Sequence, residues 1–327
     1  MVADSPFRAL LYATGLAIAI FCTGECVALK YPSKAVRLVV PFPPGASNDI
    51  IARLAGQKLS EAFAQPVVID NRGGAGGAIG AEIVAKSPAD GYTLLVSSTS
   101  YTTNAAIQVK SAYDPVADIA GVAMIGKAPM LVTVHPSVAA TSIRELIALA
   151  KAQPGKINFA SSGNGSAVHL MTVVFMSEAK VAITHVPYKG LGPALNDLIG
   201  GQVQLLIASL PSVLSHVKAN RLRAIAVTSP ARSLFTPELA TVAESGLPGY
   251  ASEIWWGVLA PARTPKEAVE RINSEVHRML ATDDMKQRLA FEGAVPAAMQ
   301  AHEFSALVRN EIAKWRAVVK GSGIKAD

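Results

Sequence analysis

Short apolar runs alternate with amphipathic stretches through most of the chain. The mostly apolar run 36–41 predicts a buried strand. Residues 48–63 then place Ile50, Ile51, Leu54, Leu59 and Phe63 on a helical period. Strands are predicted over 66–70 and 92–97, a glycine-rich loop over 72–77, a short helix over 78–86 and a turn over 88–91. Two further strands are expected, over 122–125 and 130–134. Ser142 and Glu145 then form a capping box that opens a helix ending near 152. The alternation restarts there, with strands over 157–160, 183–188, 203–208 and 222–227 and helices over 166–178, 193–199 and 211–219. A strand over 254–260 precedes an almost wholly helical end, with helices over 266–281, 284–292 and 301–320. Strands alternating with helices argue for an α/β fold with mostly parallel sheets flanked by helices. Two such units without a flexible linker imply that the chain crosses between them more than once, with a cleft between.

The apolar run 9–21 stands outside this pattern. It is shorter than the roughly 20 residues a membrane-spanning helix needs. Arg8 precedes it, offset by Asp4, and Cys26-Val27-Ala28 offers small side chains for cleavage after Ala28. That is the layout of a secretory signal peptide over 1–28. Lipidation at Cys26 and a retained anchor stay open as alternatives. The two cysteines of the chain, Cys22 and Cys26, leave with the signal, which removes disulfides, thiolate nucleophiles and cysteine metal ligands from the mature protein. A length of 327 residues, half of them hydrophobic and 17% charged, excludes a disordered chain and provides for two cores. The formal net charge of +6 attracts anions. The basic residues are scattered without an aromatic-flanked cluster, so no nucleic acid partner is expected.

Four glycine- or serine-rich segments follow predicted strands: 43–49, 73–77, 97–100 and 161–166. In open α/β sheets, ligands bind at the carboxyl ends of strands. Loops that lead into helices offer unpaired N–H groups to anions. The same residues also serve ordinary turns and helix caps, with Ser47, Asn48 and Ser166 as candidate caps. Gly74-x-Gly76-x-x-x-Gly80 misses the dinucleotide fingerprint, and neither a Walker sequence nor a Gly-x-Ser-x-Gly elbow is present. The six histidines show no metalloprotease spacing, so neither a metal nor a cofactor is expected. His169 is read either as a structural histidine or as a ligand contact.

Several motifs carry a resemblance: Pro41–Asp49, Asn71–Gly80, Asp90-Gly-Tyr-Thr-Leu94, Ser161–Ser166 with His169-Leu170, and Val186-Pro-Tyr-Lys-Gly190. Together they are similar to the Bug family, the extracytoplasmic solute receptors of tripartite tricarboxylate transporters. Gly200–Val203, Leu222–Val227 and Glu244–Pro248 continue the match. The resemblance implies a two-lobed periplasmic binding protein of the Venus-flytrap kind, monomeric, that closes on a small carboxylate and serves a membrane permease. A sensor-coupled binding module and an exported enzyme are the alternatives. The expected lobes are 29–127 with 258–327, and 128–257. The loops and the resemblance together place ligand-binding residues at Phe42, Gly45, Ala46, Ser47 and Asn48 in the first loop, and Gly77 and Ala78 in the second. They continue with Ser98 and Thr99 in the third, Ser162, Gly163, Gly165, Ser166 and His169 in the fourth, and Tyr188, Ala208 and Ser209 beyond. No catalytic residue is implied. The sequence departs from the family pattern at Ala46, Ala78, Met171-Thr172-Val173 and Ala208-Ser209. Ala78 and Ala208 remove polar groups, which points away from a strongly polar ligand.

Overall fold

A computed structural model describes residues 31–108 and 112–322. The signal segment 1–28, its cleavage near Ala28 and both cysteines lie outside the described residues.

The strands are β1 (Val36–Val40), β2 (Val67–Asn71), β3 (Thr93–Ser98), β4 (Ile119–Val134), β5 (Asn158–Ser161), β6 (Thr184–Pro187), β7 (Leu205–Ser209), β8 (Arg223–Val227), β9 (Glu253–Pro261) and β10 (Val295–Pro296). The helices that position the site are α1 (Ser47–Phe63), α2 (Ala78–Ala85), α3 (Thr99–Ile107), α4 (Ile143–Ala152), α5 (Ala167–Ala179) and α6 (Leu191–Ile199). They are followed by α7 (Leu210–Lys218), α8 (Lys266–Ala281), α9 (Asp283–Phe291) and α10 (Ala301–Ser322). The strand order is β2-β1-β3-β9-β4-β7-β5-β6, with β8 and β10 also paired to β4.

The two-lobed arrangement rests on two ladders. In the first, β1 runs parallel to β2 and β3. In the second, β5 runs parallel to β6 and β7. The segments that pass between the ladders pair antiparallel and make both sheets mixed: β9 against β3 and β4, and β4 against β7 and β8.

The strands expected over 122–125 and 130–134 are one strand of 16 residues. Gly126-Lys127-Ala128-Pro129 reads as a break because Gly and Pro punctuate local structure. In the fold, β4 pairs with β9 from Ile119 to Pro129 and with β7 from Met130 to Val134. Pro129, which has no N–H to donate, sits where the strand leaves one ladder for the other. Gly126 has no side chain because a Cβ there would stand 2.9 Å from the Val295 carbonyl of β10.

One apolar core runs beneath both ladders, from Leu38 and Ile51 to Phe159 and Phe175. A second lies on the other face of the first ladder, where Phe304 and Ile312 of α10 meet Val39, Leu95 and Trp255. Gly121 and Gly257 let α10 approach the strands: a Cβ at either would fall within 2.7 Å of the Phe304 ring.

Candidate functional site

The parallel strands β1, β2, β5 and β6 all discharge their carboxyl ends into loops on one cavity of about 670 Å³. Its described lining includes Phe42 and Pro43 after β1, Gly74 to Gly76 after β2, Ser162 to Asn164 after β5, and Tyr188 to Gly190 after β6. Asn104, Ile107 and Gln108, at the end of α3, close the remaining side. The loops after β2, β5 and β6 lead directly into α2, α5 and α6. Three helices therefore begin beside one space, with the positive ends of their dipoles on that side. Lys189 is the one lysine, arginine, aspartate or glutamate in the described lining. The arrangement suits an anion with an apolar body, held by backbone donors. Among the described residues, no group of three His, Cys, Asp or Glu could hold a metal ion.

The first loop is braced from behind by Asp49. Its carboxylate accepts the Gly45 amide (3.0 Å) and Arg53 Nε (2.9 Å) on Oδ2, and Asn71 Nδ2 (3.0 Å) on Oδ1. Asn71 also donates to the Phe42 carbonyl (3.0 Å), tying the loop to the end of β2. Burial raises the Asp49 pKa, but the bonds from Arg53, Gly45 and Asn71 outweigh it and hold the carboxyl below its ordinary value. The contribution of Asp49 is therefore complete above the ordinary carboxylate value and is lost as pH falls through the lowered one. Asp49→Ala is expected to cost about 1–3 kcal/mol, because it removes a buried carboxylate that accepts three hydrogen bonds, one of them from the charged Arg53. Urea denaturation at pH 7 and pH 3 checks this, and the difference between variant and parent should shrink at the lower pH.

The cap of α1 differs from the sequence reading. Ala46 is the N-cap, without a side-chain cap bond, and Ser47 and Asn48 are already helical. Asn48 is buried, and its Oδ1 accepts no hydrogen bond among the described residues.

The second loop turns through positive φ at Gly74, Ala75, Gly76 and Gly77. Asn104 Nδ2 donates to the Ala75 carbonyl (2.9 Å) and fixes that turn to α3. The fourth loop is held from within. Ser166 Oγ accepts the His169 amide (3.3 Å) as the N-cap of α5, and His169 Nδ1 accepts the Gly165 amide (3.2 Å). Tyr188 donates its hydroxyl to Asp197 Oδ2 (2.6 Å), and burial and then Asp197 push its pKa up to about 12.

The loops also touch across the cavity. A Cβ on Gly76 would overlap the Asn164 carbonyl, and one on Gly190 would lie 3.1 Å from Pro43. Ser100 Oγ of α3 accepts the first amide of α5, Ala167, at 3.1 Å.

Of the residues expected at the site, Phe42, Ser162, Gly163 and Tyr188 line the cavity. Gly45, Ala46, Ser47 and Asn48 follow the lining part of the first loop, and Gly77 and Ala78 follow that of the second. Gly165, Ser166 and His169 follow the lining part of the fourth loop, and a Cβ on Gly165 would lie 2.6 Å from the lining residue Ile107. Ser98 and Thr99 are turned inward, where Ser98 caps its own helix through the Ser100 amide and Thr99 Oγ1 accepts the Trp255 amide. Ala208 and Ser209 pair with β4, and Ser209 Oγ is bonded to Ser212 Oγ (2.8 Å). Asn104, Ile107 and Gln108 escaped sequence reading because α3, TSYTTNAAI, shows no apolar period. Lys189 and Gly190 carried a signal, since both stand in the Val-Pro-Tyr-Lys-Gly motif.

The model of the tripartite tricarboxylate transporter family receptor matches residues 51–324. Protein BugT of Bordetella pertussis is 37% identical over 297 residues, which cover 90% of this chain and 91% of that protein. The chain belongs to this receptor family. Solved receptors superpose over nearly the whole fold. The Rpa4515 protein of R. palustris, solved with adipate, is 39% identical at a TM-score of 0.86, covering 90% of this chain and 99% of that one. MatC from Rhodopseudomonas palustris, solved with bound malate, is 30% identical at a TM-score of 0.82, covering 88% of this chain and all of that one. Receptors of this family are extracytoplasmic solute-binding proteins. No helix among the described residues is long and apolar enough to cross a membrane.

Proposed function

We propose that this receptor captures a small carboxylate in the cavity between its loops, in the periplasm, and delivers it to a tripartite tricarboxylate permease. The observation that carries the reading is the convergence of three helix-leading loops on one cavity whose described lining has Lys189 as its single cationic side chain. Backbone amides of the second and fourth loops hold the carboxylate, while Phe42 and Ile107 contact its apolar part. Lys189 adds long-range attraction. The adipate and malate bound by its relatives support this ligand class. We divide the lobes at 127/128 and 257/258; the two ladders, joined by β4 and β9, support that division. The signal segment is removed near Ala28 on export, the mature protein is a monomer, and the reading assigns it no catalytic step.

A ligand at 100 times its Kd stabilises a folded protein by about 2.7 kcal/mol. At roughly 2–4 °C per kcal/mol for a chain approaching this size, a true ligand raises Tm by about 5–10 °C. A thermal-shift panel of aliphatic diacids, hydroxy acids, aromatic acids and amino acids is the test. A panel without a single shift overturns the reading. For any positive ligand, solution scattering should show a smaller radius of gyration on saturation, as hinge closure requires.

A further inference from the structure

Behind the fourth loop lie two imidazoles that ligand contact does not account for. The rings of His169 on α5 and His185 on β6 are parallel within 8°, with centroids 4.0 Å apart. Phe159 of β5 lies near-parallel to both rings, 4.7 Å from His185 and 6.2 Å from His169. The pair reaches the loop along two routes. His169 Nδ1 accepts the Gly165 amide directly. His185 Nε2 is 2.6 Å from Ser161 Oγ, and that oxygen accepts the Gly163 amide at 3.2 Å. The two amides flank Asn164, so the imidazoles hold both sides of the segment that lines the cavity.

We propose that His169 and His185 are positioning residues for the ligand loop, holding the amides of Gly163 and Gly165 in place as a neutral stacked pair, and that a proton on the pair releases the loop and weakens carboxylate binding. The ligand-binding half of this statement rests on the function proposed above.

The chemistry runs through lone pairs. His169 holds the Gly165 amide only while Nδ1 carries no proton, because an N–H there would face another N–H. Two positive rings at 4.0 Å repel, so the pair titrates as a unit rather than as two independent groups. Burial and then the His169 ring pull His185 down to about 4. Among the described residues, His169 is the titratable group whose charge bears on His185; β5 offers it Phe159 and the neutral Ser161. On the far side of Ser161, Tyr188 is held up at about 12 and does not titrate in this range. Closing the loop on a ligand therefore excludes a proton that an open loop would accept, and affinity falls as pH drops below the ordinary histidine range.

Two measurements on the full mature chain decide the matter. The first needs no ligand. Amide exchange at Gly163 and Gly165, referenced to the buried strand amide of Ile207, should lose about tenfold in relative protection between pH 7.5 and 5.0. The second compares adipate affinity across the same range in the parent and in His185→Gln, which keeps a side-chain acceptor but cannot titrate. The parent should lose about tenfold more affinity than the variant, and the ligand's own protonation cancels in that ratio. Unchanged relative exchange, equal pH slopes in parent and variant, or tighter parental binding in acid would each overturn the proposal. If adipate fails to bind at pH 7.5, the choice of ligand is what has failed, and the exchange experiment still decides the role of the histidines.

Discussion

Gly76→Ala is expected to lower ligand affinity by at least about 100-fold while leaving the free protein folded. Gly76 has φ +64 and faces the opposite lobe. An added Cβ would stand 2.8 Å from Asn104 Nδ2 and overlap the backbone carbonyl of Asn164, which cannot rotate away. The strain at positive φ costs about 1 kcal/mol in the free protein. The larger effect falls on ligand binding, because the collision lies where the two loops already meet in the described structure and the variant must hold them apart. Gly165→Val should act in the same direction, since its Cβ would lie 2.6 Å from Ile107 Cγ2 across the cavity. Gly192→Ala, where a Cβ meets nothing within 4 Å, is the control and should bind as the parent does. Lys189→Met should lose less than either closure variant, because one exposed charge adds only modest attraction. Calorimetry on the four variants with a ligand from the thermal-shift panel gives the ranking. A lysine variant that loses binding while both cleft-glycine variants retain it would show that an ion pair, rather than the backbone cradle, holds the carboxylate.

Phe304→Ala is expected to be the most destabilising single change in the C-terminal helix, at about 3–5 kcal/mol. Phe304 is fully buried and meets the Trp255 ring edge-on at 5.1 Å. It fills the space that Gly121 and Gly257 leave open on β4 and β9. Both strands belong to the connection between the lobes, so relaxation into the cavity would bend the crossing segments. Calorimetric melting should drop by roughly 10 °C or more. A loss below about 1 kcal/mol would mean that α10 is not packed on the strands as described.

The strands were legible because each is a short apolar run bounded by turn residues. The loops after them were legible because small residues cluster at strand ends. Helix α3 was not, because a buried helix normally announces itself by an apolar stripe. Here the buried face is built of hydroxyls: Thr102 and Thr103 donate to the carbonyls of Thr99 and Ser100 one turn back, and Thr102 lies 2.9 Å from Glu311 of α10. Those bonds satisfy the polar groups that burial would otherwise penalise. Strand β4 was read as two pieces because Gly126 and Pro129 look like a turn to any local rule. Their use depends on β10 and on the change of partner ladder, neither of which is near them in the chain.

The sequence by itself determined the α/β alternation, the position of the loops that line the cavity, the scarcity of charge in them and the family to which the chain belongs. These follow from local periodicity, turn chemistry and ordered motifs, which act over a few residues at a time. Only the tertiary structure decided which part of each loop turns inward, with Gly74 to Gly76 rather than Gly77 and Ala78, and Ser162 to Asn164 rather than Gly165 to His169. It also decided that His169 stacks on His185. The physical reason is the same in each case: these outcomes are set by contacts between atoms far apart along the chain, such as Gly76 with Asn164 or Pro43 with Gly190, and no local pattern carries them.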